Sequence, residues 1–292
     1  MSDYDAIVIG AGHNGLTAAA ILARGGLRTL VLEKNKYAGG MASTVELFDG
    51  YHYEIAGSVL FPPAPDIVAD LGLDALRTVD TKVMSVNLGG PDDEPMIFYR
   101  DAEQLMMHLA EKHGADAMMG MAELLGWAEA PARALGRFDV RKPPRTIDEM
   151  YACANTEAER AAISDMLFGS VMDVLNRFFP DKEKSRVMRG MLAFLAVNST
   201  YRGPYTPGSA TCLAYALAAP PGVEMMQKLE GGIGALTGHI RQLFEANGGE
   251  LRLKAIVERI LVDGNRVTGV EMKGGEVISA PIVLSNLDPG VT

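Results

Sequence analysis

The feature of this sequence that most constrains its fold is a glycine pattern between an apolar run and a helix-forming run. Residues 5–9 form a short, almost continuous apolar run, which is typical of a parallel strand covered on both faces. Three glycines in GxGxxG spacing follow: Gly10, Gly12 and Gly15. Residues 16–24 favour a helix, and residues 28–32 predict a second strand that Glu33 closes. This order predicts a Rossmann-like α/β unit that binds a dinucleotide.

Each position in the glycine pattern has a mechanical role. Gly10 permits the turn out of the strand, Gly12 allows the backbone to approach a pyrophosphate, and Gly15 allows the helix to pack against the sheet. The pyrophosphate is expected at the N–H groups and positive end of the helix. His13 and Asn14 lie within the turn and belong to the predicted cofactor site; His13 either packs with its side chain or contacts the cofactor through its backbone, and a catalytic role is not favoured.

The acidic residue after the second predicted strand indicates which dinucleotide binds. Glu33 is placed to accept hydrogen bonds from the hydroxyls of the adenosine ribose, and Lys34 follows it as a further cofactor contact. A carboxylate at this position would repel a 2′-phosphate, which disfavours NADP.

A second glycine pair distinguishes FAD from NAD. Gly39 and Gly40, followed by Met41 and Ala42, stand where the chain of a plain NAD domain would normally enter another helix. Paired glycines allow the backbone to lie against an extended cofactor, which favours FAD with its long ribityl arm. We therefore predict FAD as the cofactor and include these four residues in its site.

These motifs resemble those of the phytoene desaturase-like and carotenoid isomerase-like flavoproteins, relatives of the flavin amine oxidases. The resemblance covers residues 5–60 and 231–289. It implies a glutathione-reductase-type FAD-binding domain with an inserted, largely helical substrate domain and a small antiparallel β-meander. In that family arginine usually follows the glycine pair, where this sequence has Met41.

The resemblance also implies further cofactor contacts. Gly57 and Ser58 correspond to the family segment that passes beside the isoalloxazine ring. Val257 corresponds to the position whose backbone meets the adenine, and Asn286 belongs to a strand-ending SNxDP segment. These four residues complete the predicted cofactor site.

The C-terminal part has the elements that such a fold requires. Residues 231–236 open a helix with a GGxGAL segment. Strands and glycine turns then predict an antiparallel meander over residues 250–278, and residues 280–285 predict a strand that returns to the first domain. The predicted domains are therefore residues 1–62 and 228–292 for FAD and residues 63–227 for the substrate.

The middle of the chain is predicted to be helical and is rich in methionine. Of the 17 methionines, 12 fall between Met106 and Met226. Methionine at helical spacing is most often core filler, and the alternative is the flexible lining of a tunnel for an apolar substrate. The candidates for such a lining are residues 175–179, 188–197, 204–207 and Tyr215.

Charge and composition exclude several classes of partner. The net charge of -10 argues against a surface that neutralises nucleic-acid phosphates. The two cysteines have no CxxC spacing and no nearby histidine pair, so no metal site is predicted. Without a signal peptide or a long apolar run the protein is expected in the cytoplasm, and peripheral membrane contact stays open.

The function predicted from these features is an FAD-dependent dehydrogenase, desaturase or isomerase acting on an apolar, polyene- or isoprenoid-like small molecule. Hydride would pass between a substrate carbon and flavin N5. The alternatives are a flavin amine oxidase and a non-catalytic prenyl-binding protein similar to the Rab GDP-dissociation inhibitors. No set of side chains is assigned as catalytic. Relatives in the resembled family continue well beyond this length, so we expect a fragment or a second polypeptide that supplies the C-terminal half.

Overall fold

A computed structural model describes residues 2–61, 63–138, 142–198, 200–217 and 226–292. The chain divides into two compact units, Met1–Asp80 with Met225–Thr292, and Thr81–Glu224. The first unit runs past the expected limit at residue 62, because residues 65–79 belong to its core and strand pairing.

The elements of each unit are numbered in chain order along the whole protein. The first unit contains β1 (Ala6–Ile9), α1 (His13–Arg24), β2 (Thr29–Leu32), β3 (Thr44–Phe48), β4 (Tyr51–Glu54), α2 (Pro65–Leu71), β5 (Thr78–Val79), β8 (Lys228–Leu229), α10 (Gly234–Ala246), β9 (Glu250–Arg252), β10 (Val257–Asp263), β11 (Arg266–Met272), β12 (Val277–Ser279) and β13 (Ile282–Ser285). The second unit contains β6 (Val83–Asn87), β7 (Met96–Tyr99), α3 (Ala102–His113), α4 (Ala115–Leu135), α5 (Ile147–Ala152), α6 (Glu157–Phe168), α7 (Val171–Phe178), α8 (Arg186–Val197) and α9 (Ala210–Leu217).

A parallel sheet in the order β13-β1-β2-β9 forms the centre of the first unit. Strands β1 and β2 are buried along their whole length, as the apolar run of residues 5–9 predicted. Val8 and Val31 on one face pack with side chains of α1 and α10. Ile7 and Leu30 on the other face pack with the antiparallel sheet β10-β11-β12. The fold is thus α/β with a parallel sheet, and the returning strand β13 lies where residues 280–285 predicted it.

One predicted strand belongs to a different sheet. The sequence assigned residues 250–257 to the antiparallel meander, but β9 pairs with β2 in the parallel sheet, with Leu30 opposite Glu250. The reason is the side chain of Leu251, which packs into the cluster around α1 and α10 and draws this short segment to the sheet edge. The antiparallel sheet then begins at Val257, which pairs with Met272.

The second unit contains an apolar cluster to which α3, α4, α7, α8 and α9 contribute. Buried methionines belong to that cluster: Met96, Met121, Met172, Met188 and Met191. Leu175 and Leu192, two of the residues considered for a substrate lining, are also buried in it. These methionines and leucines therefore fill a core, whereas Phe194, Tyr205 and Tyr215 are exposed.

A buried carboxylate ties two helices of the second unit together. Glu159 on α6 accepts hydrogen bonds from Arg137, at 2.6 Å from Nη1 to Oε2, and from the N–H of Asn155 at 2.7 Å. The Arg137 guanidinium, with this backbone N–H, lowers the pKa of Glu159 to about 2.

Within the described parts of the chain, none of the helices is long and apolar enough to cross a bilayer.

Candidate cofactor site

The first glycine turn has the geometry that the GxGxxG spacing predicted. Gly10 adopts φ +94°, in the left-handed region, and donates its N–H to the carbonyl of Leu32 at 2.8 Å. A Cβ on Gly15 would clash with the carbonyl oxygen of Gly10 and reach 3.1 Å from Cβ of Asn286. Glycine at position 15 therefore allows α1 to begin directly against the end of β1.

The start of α1 offers unused backbone donors. Gly12 is the N-cap and provides no side chain to cap the helix, and no acidic residue lies in the first turn. The first helical bond runs from the N–H of Leu16 to the carbonyl of Gly12 at 2.9 Å. Among the described residues, no acceptor is found for the N–H of Asn14 or Gly15. The positive end of this helix therefore suits an anionic group such as a diphosphate.

The second glycine pair lies against the first glycine turn. Gly39 donates its N–H to the carbonyl of Ala11 at 2.7 Å, and the segment pairs with Gly12 as an isolated parallel bridge. A Cβ on Gly40 would reach 3.1 Å from Cα of Gly12. The two glycine segments, distant in sequence, therefore form one backbone cradle that side chains would fill.

Asn286 closes another side of this cradle. Its N–H donates to the carbonyl of Ile9 at 2.9 Å, which fixes the residue beyond the end of β1. A Cβ on Gly12 would come within 2.9 Å of Nδ2 of Asn286. The carboxamide thus lies beside the start of α1, and hydrogen bonds between it and other described residues are not found.

Glu33 is buried at the end of β2, with 5% of its surface exposed. Its Oε2 accepts the N–H of Ala11 at 2.8 Å, and its Oε1 accepts the N–H of Asn35 at 2.9 Å. An ionised carboxylate offers about four lone-pair sites, so two stay available for ribose hydroxyls. Binding of the ribose by Glu33 stays a prediction, and the carboxylate also holds the glycine turn.

The remaining predicted residues lie on segments next to this centre. Ala255, two residues before Val257, donates its N–H to the carbonyl of Glu33 at 2.8 Å, so that the segment leading to Val257 runs beside Glu33. Gly57, followed by Ser58, donates to the carbonyl of Met41 at 2.9 Å. Of the other residues in the predicted cofactor site, His13 is half-buried, Lys34 is exposed and Ala42 is buried.

Polar residues that the sequence did not single out connect α10 to the second glycine segment and to the hairpin that follows it. Thr237 on α10 donates from Oγ1 to the carbonyl of Ala42 at 2.9 Å. The Thr44 hydroxyl accepts the N–H of Gly234 at 2.8 Å, and Glu54 accepts the N–H of Ile233 at 3.0 Å. Only the position of Thr44, just after the glycine pair, is a signal that sequence analysis could have used.

Polar and charged groups on and beside β9 are paired with one another. On β9, Glu250 accepts a hydrogen bond from the Tyr4 hydroxyl and bonds to Arg252, and these contacts lower the pKa of its carboxyl. Burial, followed by the bond to Glu250, raises the pKa of Tyr4. Arg252 also contacts Glu276 at 3.2 Å. These contacts of Glu250 and Arg252 therefore anchor β9.

Curated relatives match nearly the whole chain. A protein of Rattus norvegicus, the pyridine nucleotide-disulfide oxidoreductase domain-containing protein 2, is 28% identical over 99% of this chain and 54% of its own length. The zeta-carotene-forming phytoene desaturase of Myxococcus xanthus is 26% identical over 97% of this chain and 53% of its own length. The chain therefore spans about half the length of the curated relatives that it matches.

Solved structures share the fold at lower identity. An oxidoreductase from Methanosarcina mazei superposes with a TM-score of 0.58 at 18% identity, covering 97% of this chain and 58% of its own. A Rab GDI from Plasmodium falciparum superposes with a TM-score of 0.54 at 13% identity, covering 99% and 66%. At such identities the likeness concerns the fold alone.

The flavin-containing amine oxidoreductase family matches residues 15–292. The cradle between the two glycine segments, the bare start of α1 and the buried Glu33 fit the diphosphate and ribose of the flavin nucleotide that this family uses. The chain belongs to the flavin-containing amine oxidoreductases, and FAD is its cofactor.

Proposed function

We propose that the chain is the FAD-holding part of a dehydrogenase, desaturase or isomerase for an apolar, polyene- or isoprenoid-like substrate. The bare start of α1 against the backbone cradle carries the cofactor part of this proposal. The likeness to a phytoene desaturase over 97% of this chain supports the class of substrate. We propose the complete reaction for the longer protein, because the relatives are about twice as long as this chain.

The residues of this chain have the task of binding and orienting the cofactor. The N–H groups of Asn14 and Gly15 would hold the diphosphate, Glu33 the ribose and the backbone near Val257 the adenine. Bound FAD supplies a two-electron acceptor for a hydride from a substrate carbon. Because the flavin performs the electron chemistry, the chain needs only to fix its position, and orientation contributes much of the rate.

We propose that the second unit is the inserted substrate domain. Its core is filled by methionine and leucine, so the substrate would be contacted by side chains outside that core. Phe194, Tyr205 and Tyr215 belong to the predicted lining and are exposed, which supports this role.

Anaerobic reconstitution with FAD tests the reaction. Absorbance of the oxidised flavin should bleach on addition of a polyene or isoprenoid substrate and stay unchanged with primary amines. A preparation that isomerises a polyene without net bleaching would favour the isomerase form. If the chain together with the half that corresponds to the rest of the relatives neither bleaches its flavin nor isomerises any of a broad panel of apolar compounds, the proposal is wrong.

Two other functions stay open as alternatives. The family match favours a flavin amine oxidase, for which amines and not polyenes would bleach the flavin. The alternative of a prenyl-binding protein similar to the Rab GDP-dissociation inhibitors shares the fold, but the likeness to a Rab GDI at 13% identity concerns the fold alone. The open donors at α1 count against the latter, and a colourless protein that fails to bind added FAD would support it.

We further propose that the active protein includes the part that corresponds to the second half of the relatives, on this polypeptide or on another. The hairpin of β3 and β4 supports this, because Phe48, Tyr51 and Tyr53 on it are exposed. Addition of that half should tighten FAD binding, whereas tight one-to-one binding by this chain alone would contradict the proposal.

Co-sedimentation with neutral lipid vesicles tests the expected peripheral membrane contact.

A further inference from the structure

The Glu33 carboxylate contacts more of the protein than a ribose ligand requires. Its Oε2 lies 2.8 Å from the N–H of Ala11 in the first glycine turn, and its Oε1 lies 2.9 Å from the N–H of Asn35. Ala11 is fully buried and lies between the two glycines that shape the turn. One side chain therefore joins the exit of β1 to the exit of β2.

The backbone around Glu33 adds a third segment to this connection. Its N–H donates to the carbonyl of Arg252 at 2.9 Å, and its carbonyl accepts the N–H of Ala255 at 2.8 Å. The carbonyl of Asn35 accepts the N–H of Lys254 at 2.9 Å. The segment that leads to the adenine position thus depends on the same short stretch of chain.

Glu33 is buried, with 5% of its surface exposed, so a lost bond to either N–H group is costly. Backbone N–H groups can only donate, so both oxygens must be acceptors for the arrangement to hold. A carboxamide of the same shape presents one oxygen and one NH₂ group, which would place a donor against one of the two N–H groups and leave it unsatisfied.

We propose that Glu33 is a positioning residue that sets the shape of the diphosphate cradle, in addition to binding the ribose. This inference rests on the proposed binding of FAD at α1. The carboxylate fixes Ala11, whose carbonyl in turn receives the N–H of Gly39 at 2.7 Å, so both glycine segments depend on it. Removing it should impair diphosphate binding even for a ligand that has no ribose hydroxyls.

The test compares ADP with 2′,3′-dideoxy-ADP as competitors of FAD on the full chain. For Glu33→Gln, the affinity for 2′,3′-dideoxy-ADP should fall about tenfold, and the affinity for ADP should fall by at least that factor because the contact with the ribose hydroxyls is lost as well. Glu33→Asp keeps the charge but is one methylene shorter and cannot reach both N–H groups, so it should also lose affinity for 2′,3′-dideoxy-ADP. Glu258→Gln removes an exposed carboxylate of the same unit and should change neither affinity.

A fall in affinity for ADP alone, with 2′,3′-dideoxy-ADP unaffected, would show that Glu33 is only a ribose ligand and overturn the inference. Hydrogen exchange of the nucleotide-free chain gives an independent readout at the amides of Ala11 and Asn35. Exchange there should be faster in Glu33→Gln and unchanged in Glu258→Gln; unchanged exchange in both would also overturn it. If the wild-type chain binds neither FAD nor ADP while exchange responds as expected, the proposed function fails and the positioning role stands.

Discussion

Two helices of the first unit begin after glycine-rich segments, and their first turns differ in what their N–H groups contact. At the start of α1, no side chain caps the helix and the N–H groups of Asn14 and Gly15 lack acceptors among the described residues. At the start of α10, the N–H of Ile233 donates to Glu54 and that of Gly234 donates to Thr44. The first helix is open to a ligand, and the second is closed by its own protein.

This difference shows that a glycine-rich segment before a helix is not sufficient for a phosphate site. A Cβ on Gly234 would lie 2.6 Å from the backbone N of Thr44, so this glycine allows a strand to approach the helix. Glu54 bonds to Lys228 at 3.2 Å, which neutralises the carboxylate near the helix end. The contacts of the N–H groups, and not the glycines themselves, distinguish a binding site from a packing contact.

The strongest test of the comparison is Gly15→Ala. The added Cβ would clash with the carbonyl of Gly10, so the turn must shift and its donors must move. We expect FAD affinity to fall by roughly a hundredfold, measured by quenching of flavin fluorescence. Gly238→Ala on α10 is the matched control, because no atom lies within 4 Å of its Cβ. That variant should keep its affinity and raise the free energy of unfolding by about 0.5–1 kcal/mol.

Thr44→Val should affect α10 and not the cofactor. It removes the hydroxyl that accepts the N–H of Gly234 at 2.8 Å, while it keeps the shape of the side chain. The free energy of unfolding should fall by about 1 kcal/mol, as for other lost N-terminal caps, in denaturant titrations. FAD affinity should change less than about threefold. Thr78→Val on the exposed β5 is the control, and a large loss of FAD affinity in Thr44→Val would show that α10 also serves the cofactor.

Asn14→Asp should change stability and binding in opposite directions. A carboxylate in the uncapped first turn of α1 favours the helix dipole and should raise the free energy of unfolding by about 0.5 kcal/mol. The same charge competes with the diphosphate, so FAD affinity should fall by about threefold to tenfold, less at high salt. Gln242→Glu, exposed on α10, should leave the affinity unchanged. Equal affinities for Asn14→Asp and wild type would mean that the diphosphate does not bind at α1.

The smallest expected effect concerns Met41, which stands where the resembled family usually has arginine and is 68% exposed. Met41→Arg adds a cation beside the second glycine segment. It should raise FAD affinity about twofold to fivefold at low ionic strength, with the gain lost in salt because the charge is exposed. Met107→Arg, at an exposed methionine of the second unit, is the control. An increase of the same size in both variants would indicate a general effect of net charge.

Local patterns were enough to predict the dinucleotide unit. The apolar runs, Gly10, Gly15 and the position of Glu33 follow from short-range geometry, and the structure places them as expected. The strand assignment of residues 250–257 was wrong, because the choice between two sheets depended on the packing of Leu251. Such long-range contacts have no local signature.

The same limit applies to the site. Gly39 and Gly40 were predicted to contact the cofactor. The bond from Gly39 to Ala11 and the close approach of Gly40 to Gly12 could not be predicted, because these residues are far apart in sequence. The bonds that Thr237 and Glu54 make are likewise invisible until the chain is folded. The residue types therefore predicted which cofactor binds, whereas the hydrogen-bond partners that hold the cradle could be identified only from the folded structure.

The two edge strands of the parallel sheet, β9 and β13, differ in their side chains. At one border, β9 is short and carries Glu250 and Arg252 in ion pairs, which discourages the addition of another strand. At the other, β13 presents Ile282, Val283 and Leu284, none of which is fully buried. Because β13 carries no charged side chain, we expect a further strand to add at β13 and not at β9.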